Sequence, residues 1–239
     1  MADFARRSPQ TEWMDTEPVS AADFAACLSD LAAVNTVTLA RLPTLGFLNR
    51  AIRRAGPLGR PLRVLDVGCG EGDMLRRVHR WANRGGHRLE LVGIDLNPFG
   101  IEAARAATPP SMPIEYRMAD AFGPGLEGFD LVLSSLFTHH LPDAAVVRFL
   151  RMMERSASLG WFVNDLHRDR LAYHGFQALS ALAGWHRFVR HDGPVSVARS
   201  FRRADWTALL AQAGLQGQAS VRWHLPYRYC VTRLKPSPA

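Results

Sequence analysis

The sequence predicts an α/β protein in which a doubly wound, mostly parallel seven-stranded sheet carries helices on both faces. Three observations predict it. From residue 62 onward, short β-branched runs alternate with stretches at helical spacing; the first run passes directly into a glycine-rich turn; and the second and third are each followed or closed by an aspartate, Asp95 and Asp120. At 239 residues, 47% hydrophobic and 21% charged, the chain has globular proportions and the size of about one domain. Disordered, collagen-like and coiled-coil readings are thereby excluded.

Residues 1–59 read as an N-terminal helical cap segment, with Phe24, Cys27, Leu28, Leu31 and Val34, then Leu45, Leu48 and Ile52, at helical spacing. Gly56, Pro57, Gly59 and Pro61 then punctuate the chain. Residues 60–165 form the α/β core, with strands over 62–67, 89–94, 114–118, 129–134 and 159–164 and helices between them. Residues 166–200, rich in histidine, tryptophan, tyrosine and arginine, exceed what a compact core needs and read as a lid inserted after the fifth strand. A helix over 203–213 and a hairpin over 219–223 and 227–233 complete the core within 201–239.

Three scattered cysteines, Cys27, Cys69 and Cys230, make neither a disulfide framework nor a zinc cluster, and His167, His174, His186 and His191 lack ligand spacing; no metal is expected. The N-terminus has no apolar signal region and no apolar run reaches the ~18 residues of a membrane span, so a cytoplasmic location is expected. The net charge of +7 is unevenly spread: residues 166–239 hold eleven basic against three acidic residues, almost all of the basic ones arginine.

The turn Asp66-Val67-Gly68-Cys69-Gly70-Glu71-Gly72-Asp73 follows a buried strand and opens a helix. Backbone that approaches a ligand closely needs glycine there. A dinucleotide fingerprint would require glycine at position 73; the spacing is G-x-G-x-G instead. This resembles the first motif of the class I S-adenosylmethionine-dependent methyltransferases. Val92-Gly93-Ile94-Asp95, Met118-Ala119-Asp120-Ala121-Phe122 and Phe129-Asp130-Leu131-Val132-Leu133-Ser134-Ser135 follow in the family's order, and the resemblance covers roughly residues 60–165. It implies a Rossmann-like fold with S-adenosylmethionine as cofactor. On this resemblance Gly68, Cys69, Gly70 and Gly72 lie against the amino-acid part, and Asp66 holds the turn or the amino group. Asp95 takes the ribose, Asp120 with Ala121 brackets the adenine beside Leu96, and Ser134 adjoins the site. The alternatives are a helix cap for Asp95, a turn aspartate for Asp120 and a small packing residue for Cys69.

Methyl transfer from a sulfonium is an in-line displacement, so alignment dominates and base catalysis is optional. Thr138-His139-His140-Leu141-Pro142-Asp143 follows the fourth strand at the carboxyl edge; the histidine pair either supplies a base or shapes the wall. As a base, His139 would be oriented by Asp165 at the end of the adjacent strand. Phe137, His167, Tyr173 and His191 are the expected acceptor contacts. Absence of an Asn-Pro-Pro-aromatic run after the fourth strand disfavours DNA amino-methylation, and absence of a Pro-Cys nucleophile excludes cytosine-carbon methylation. The order of elements is similar to bacterial small-molecule enzymes near the ubiquinone-biosynthesis type, which implies O-methylation of a phenolic or quinol-like acceptor. Carbon methylation of an activated ring, an RNA substrate on the basic last third, and a non-catalytic cofactor-binding scaffold are the alternatives. Nucleic acid is disfavoured; the lid arginines suit solvent, an anionic acceptor, an acidic carrier protein or a membrane surface. Oligomeric state is open.

Overall fold

A computed structural model describes residues 4–17 and 21–236. Of the predicted helix-face residues, the side chains of Phe24 and Leu28 lie outside the described residues. The strands are β1 (Leu62–Val67), β2 (Leu89–Asp95), β3 (Ile114–Met118), β4 (Phe129–Ser135), β5 (Ala157–Leu166), β6 (Ser220–His224) and β7 (Arg228–Leu234). They form one sheet in the order β3-β2-β1-β4-β5-β7-β6. Strands β1 to β5 pair in parallel, and β7 runs antiparallel between β5 and β6. Every predicted strand is present, with ends within two residues.

The central strands are almost uniformly apolar because both faces are covered, and alternate residues divide between two cores. Leu65, Val67, Val132, Trp161 and Val163 pack with α6 (Asp143–Ser156) and α9 (Arg203–Ala213) on one face. Val64, Leu131, Leu133 and Phe162 pack with α3 (Leu42–Ala55), α4 (Asp73–Arg84) and α5 (Pro98–Ala107) on the other.

The expected N-terminal cap is therefore two things. Helix α3 is a layer of the core: Phe47 stacks on Phe162 of β5 with ring centroids 5.0 Å apart. Only the preceding segment, with α1 (Trp13–Thr16) and α2 (Ala21–Val37), covers the carboxyl ends of the strands together with the lid helices α7 (Arg170–Leu182) and α8 (Arg187–Arg199). Asp192 of α8 accepts the backbone N–H groups of Trp13 and Met14 at 2.8 and 3.0 Å, capping α1. Arg7 donates to the carbonyls of His139, Leu141 and Arg199, strapping the segment over the end of β4.

Part of the late arginine excess is internal fastening. Arg168 is buried, donates to the carbonyls of Phe4 and Ser200, and pairs with Asp205 at 2.9 Å. Arg199 donates to the carbonyls of His139 and His140. Among the described residues no helix is long and apolar enough to cross a membrane.

Candidate active site

The sheet order reverses between β1 and β4, and ligands of open α/β sheets bind outside the carboxyl ends of the strands at such a point. A cavity of about 260 Å³ lies there, crossing the ends of β1, β4 and β5 and reaching the start of β7.

The glycine turn forms the β1 end. Gly68, Gly70 and Gly72 have φ of +71°, +51° and +74°, conformations that residues with a Cβ rarely adopt. Gly68 also has no room for one, since a Cβ would stand 2.6 Å from the Phe137 ring. The N–H groups of Gly68 and Cys69 donate to Ile94 O at 2.9 and 3.0 Å. Asp95 accepts Gly70 N–H on one oxygen and Asn97 N–H on the other, each at 2.9 Å. It thereby ties the turn to the loop entering α5, with a lone pair left on each oxygen. The cap of α5 is Asn97, which accepts Phe99 N–H at 3.0 Å.

Asp66 is 2% exposed, lines the cavity, and its Oδ1 has no hydrogen-bond partner. Burial, with Asp95 and Asp73 nearby, pushes its carboxyl up to about 8. The Cys69 thiol is raised above its ordinary range by burial, which suits packing and not nucleophilic attack.

At the end of β4 the chain turns sharply through Leu136, at φ +57°, and its N–H donates to Asn164 O on β5. A single 3₁₀ turn, Thr138–His140, follows. It lays His139 against Asp165 as the strand-end adjacency predicted: His139 Nδ1 stands 2.7 Å from Asp165 Oδ1. Asp165 also accepts the Thr138 hydroxyl, His139 N–H at 3.0 Å and Leu166 N–H at 2.8 Å. Burial works against its ionisation, but the His139 charge and these donors outweigh it and hold the carboxyl down at about 2. With Nδ1 engaged, His139 presents Nε2 toward the cavity.

One residue that the sequence left unassigned joins this group. Glu12, buried beneath the N-terminal strap, has Oε1 3.6 Å from His139 Nε2 and Oε2 3.9 Å from His140 Nε2, and accepts the Ser196 hydroxyl at 2.8 Å. Glu12, His139 and His140 are the only grouping of three such ligand residues among those described, one atom of each lying within 4.8 Å of the others. Nothing in the spacing of Glu12 connects it in the sequence to a histidine pair so far along the chain.

Other expected residues lie elsewhere. Ser134 is fully buried and donates to Val67 O at 3.0 Å; strand alternation gives the cavity position to Ser135. Phe137 lies beneath Gly68 and against Phe149. His167 accepts Trp223 Nε1–H at 3.3 Å and meets Tyr229 edge-on. Tyr173 packs edge-on against Phe4 at 5.4 Å, and His191 stacks on Trp13 at 3.6 Å with Nδ1 on Asp192. None of these lines the cavity. The lid supplies Phe176, Gly193 and Ser196 instead; at 3.6 residues per turn, His191 lies nearly opposite Gly193 on α8. Asp120 is exposed and accepts Phe122 N–H at 2.9 Å, Ala121 is in the core, and Leu96 is exposed, as are Phe99 and Met118.

Gly193 sets the height of the roof, because a Cβ there would lie 1.9 Å from the Phe176 ring. Gly193→Ala is expected to cost about 1–3 kcal/mol by forcing α7 and α8 apart, read as a lower melting temperature, with looser acceptor binding.

Comparison with known proteins agrees with this geometry. Residues 64–160 match the family described as a methyltransferase domain. Over 99 residues the chain is 35% identical to the indolepyruvate C-methyltransferase of Streptomyces griseus, a stretch covering 37% of this chain and 29% of that protein. The match thus spans less than a third of that relative's length. The solved plantazolicin methyltransferase BpumL in complex with SAH superposes with a TM-score of 0.67 at 12% identity over 93% of each chain. LepI in complex with SAM superposes with a TM-score of 0.57 at 16% identity, over 79% of this chain and 46% of that one. At these identities the solved structures speak for the fold. Residues 64–160 are thus a match to a methyltransferase domain, and the solved structures share the fold that carries the glycine turn and its two attendant carboxylates.

Proposed function

We propose that the chain transfers the methyl group of S-adenosylmethionine to a small acceptor in the cavity, on an acidic oxygen such as a phenolic or quinol-like hydroxyl. The observation that carries this reading is that one cavity joins the glycine turn and Asp66 at one end to the His139–Asp165 pair at the other. The residues fit the cofactor: the positive-φ glycines give a cradle without side chains, and the unpartnered Asp66 Oδ1 suits an ammonium group. The spare lone pairs of Asp95 suit the ribose hydroxyls, and the exposed apolar side chains of Leu96, next to it in sequence, and Met118, its partner in the β2–β3 register, suit the adenine. When bound, the cofactor supplies an electrophilic methyl on a cationic sulfur.

With the cofactor bound, His139 Nε2 would take the acceptor proton as the acceptor oxygen displaces the sulfur at the methyl carbon, the methyl–sulfur bonding pair staying with the sulfur, which becomes neutral. Asp165 fixes the tautomer that leaves Nε2 free and stabilises the imidazolium. A phenol near pKa 10 and a free imidazole near 6.5 leave a gap of roughly 5 kcal/mol. An aliphatic alcohol would leave a far larger one.

A labelled-methyl assay against a pool of phenolic and quinol metabolites and a pool of total RNA tests this, with transfer expected to the first and lost in Asp95→Ala. Transfer to RNA alone would contradict it. Carbon methylation is the second reading, favoured by the curated relative's name; the same base would draw the proton from an enol, and the carbon-13 shift of the new methyl separates the two products.

Asp66 gives a pH signature. With its carboxyl at about 8, it is protonated at neutral pH, and an ammonium ligand favours the ionised form. SAH binding at pH 7 is expected to release close to one proton, and affinity to rise from pH 6 to 8 and level off above. Calorimetry in buffers of differing ionisation enthalpy reads this, and Asp66→Asn should abolish both effects.

A further inference from the structure

Arg228 opens β7 at the opposite end of the cavity from the glycine turn, paired in the sheet with Leu166 of β5. It is 1% exposed. Of its five N–H donors, one is placed: Nη2 donates to the Thr38 hydroxyl at 2.9 Å. Nε and Nη1 are buried and have no partner. The acidic group that acts on it most strongly is Asp165, whose oxygens are already committed to His139, Thr138 and Leu166 N–H. Burial lowers the guanidinium pKa to about 10, still far above neutrality, so the charge persists. An unpaired buried cation is among the costliest features a fold can keep, and this one stands in the wall of a ligand cavity.

We propose that Arg228 is the receptor for an anionic group, a carboxylate or a comparably acidic enolate, on the methyl acceptor. Nε and Nη1 lie on different edges of the planar guanidinium, so a carboxylate in the two-bond arrangement that Arg favours would take one of them together with the second N–H of Nη2. Placement assigns that anion to the acceptor. Along the sheet the order is β1, β4, β5, β7, so at about 4.8 Å per strand Arg228 starts roughly 14 Å from the glycine turn, with His139 and Asp165 on the strand ends between. Leu31, Val34 and Leu166 give that stretch of wall an apolar lining. The fitting ligand is an aromatic or otherwise apolar body with its acidic group on Arg228 and its reacting atom by His139. The amino-acid carboxylate of the cofactor is the other source of the same chemistry. That the anion belongs to a methyl acceptor rests on the methyl-transfer reading; anion binding at Arg228 does not.

The test uses the full-length wild type, Arg228→Met and Arg228→Lys. Three quantities are measured: melting temperature without ligand, SAH affinity by calorimetry, and affinity for salicylate and phenylpyruvate against their neutral methyl esters at saturating SAH. The wild type should prefer at least one acid over its ester by at least tenfold. Arg228→Met should lose that preference, hold SAH affinity within twofold and melt no lower than wild type, because it removes an unsatisfied charge; Thr38 keeps its bond to Val34 O. Arg228→Lys should retain part of the preference. A lower melting temperature with the preference intact would make the guanidinium structural, and a tenfold loss of SAH affinity would assign it to the cofactor. No preference in the wild type would also overturn the proposal. A wild type that prefers acids but transfers no methyl would remove the methyl-transfer reading and leave the receptor standing.

Discussion

His139→Ala is expected to lower turnover by about 10²–10⁴-fold, the usual worth of a positioned general base, while SAH affinity stays within twofold. The expectation follows from position. His139 is 3% exposed, its Nδ1 is engaged by Asp165 at 2.7 Å, and the remaining nitrogen faces the cavity. His140, half-buried beside it with Glu12 Oε2 3.9 Å from its Nε2, should cost less when truncated. Unchanged turnover in both alanine variants would make the pair a wall. Asp165→Asn should lower turnover in the same direction, because an amide can donate to Nδ1 and turn the imidazole to the wrong tautomer. It should also weaken the fold at neutral pH. A carboxyl held down at about 2, against an ordinary value near 4, contributes stability that is complete above about pH 4 and lost as pH falls toward 2. Acid unfolding of wild type and Asp165→Asn should therefore converge at the low end of that window.

Gly68→Ala is expected to weaken SAH binding by at least a hundredfold. The left-handed conformation costs a residue with a Cβ roughly 1–2 kcal/mol, and here two Phe137 ring atoms stand at 2.6 and 2.8 Å, and its Cβ at 3.0 Å, from where the new Cβ would go. Relief requires moving either Phe137, which packs against Phe149, or the turn itself, whose N–H groups are fixed to Ile94 O. Gly56→Ala provides the control. Its φ of +69° is nearly the same, but nothing lies within 4 Å of the added Cβ, so it should cost the backbone strain alone and leave SAH affinity unchanged. Equal effects of the two substitutions on binding would contradict this account of the turn.

The strands and the glycine turn were legible in the sequence because their causes are local: apolar runs with β-branched residues, and a glycine spacing that a close backbone approach demands. The His139–Asp165 pair was legible too, since two parallel neighbours bring their ends together. The acceptor side was not. Tyr173 and His191 have the composition of binding residues, but their directions depend on how α7 and α8 pack, and they turn to Phe4 and Trp13. Glu12 and Arg228 reach the cavity from opposite ends of the chain, one through a strap clipped by Asp192 and the other through an antiparallel strand. Neither position carries a spacing signal. Ser134 and Ser135 show the smallest form of the same difficulty, where one residue of strand register decides which hydroxyl meets the cavity.

The central claim, that one cavity joins methyl donor and base, is tested most directly by a crystal structure of the complex with SAH. The account predicts the sulfur over the β1–β4 boundary and within roughly 8 Å of His139 Nε2, the span of a near-attack methyl plus one hydrogen bond. A sulfur more than roughly 12 Å away, or a His139 Nε2 screened from it by protein, would contradict it.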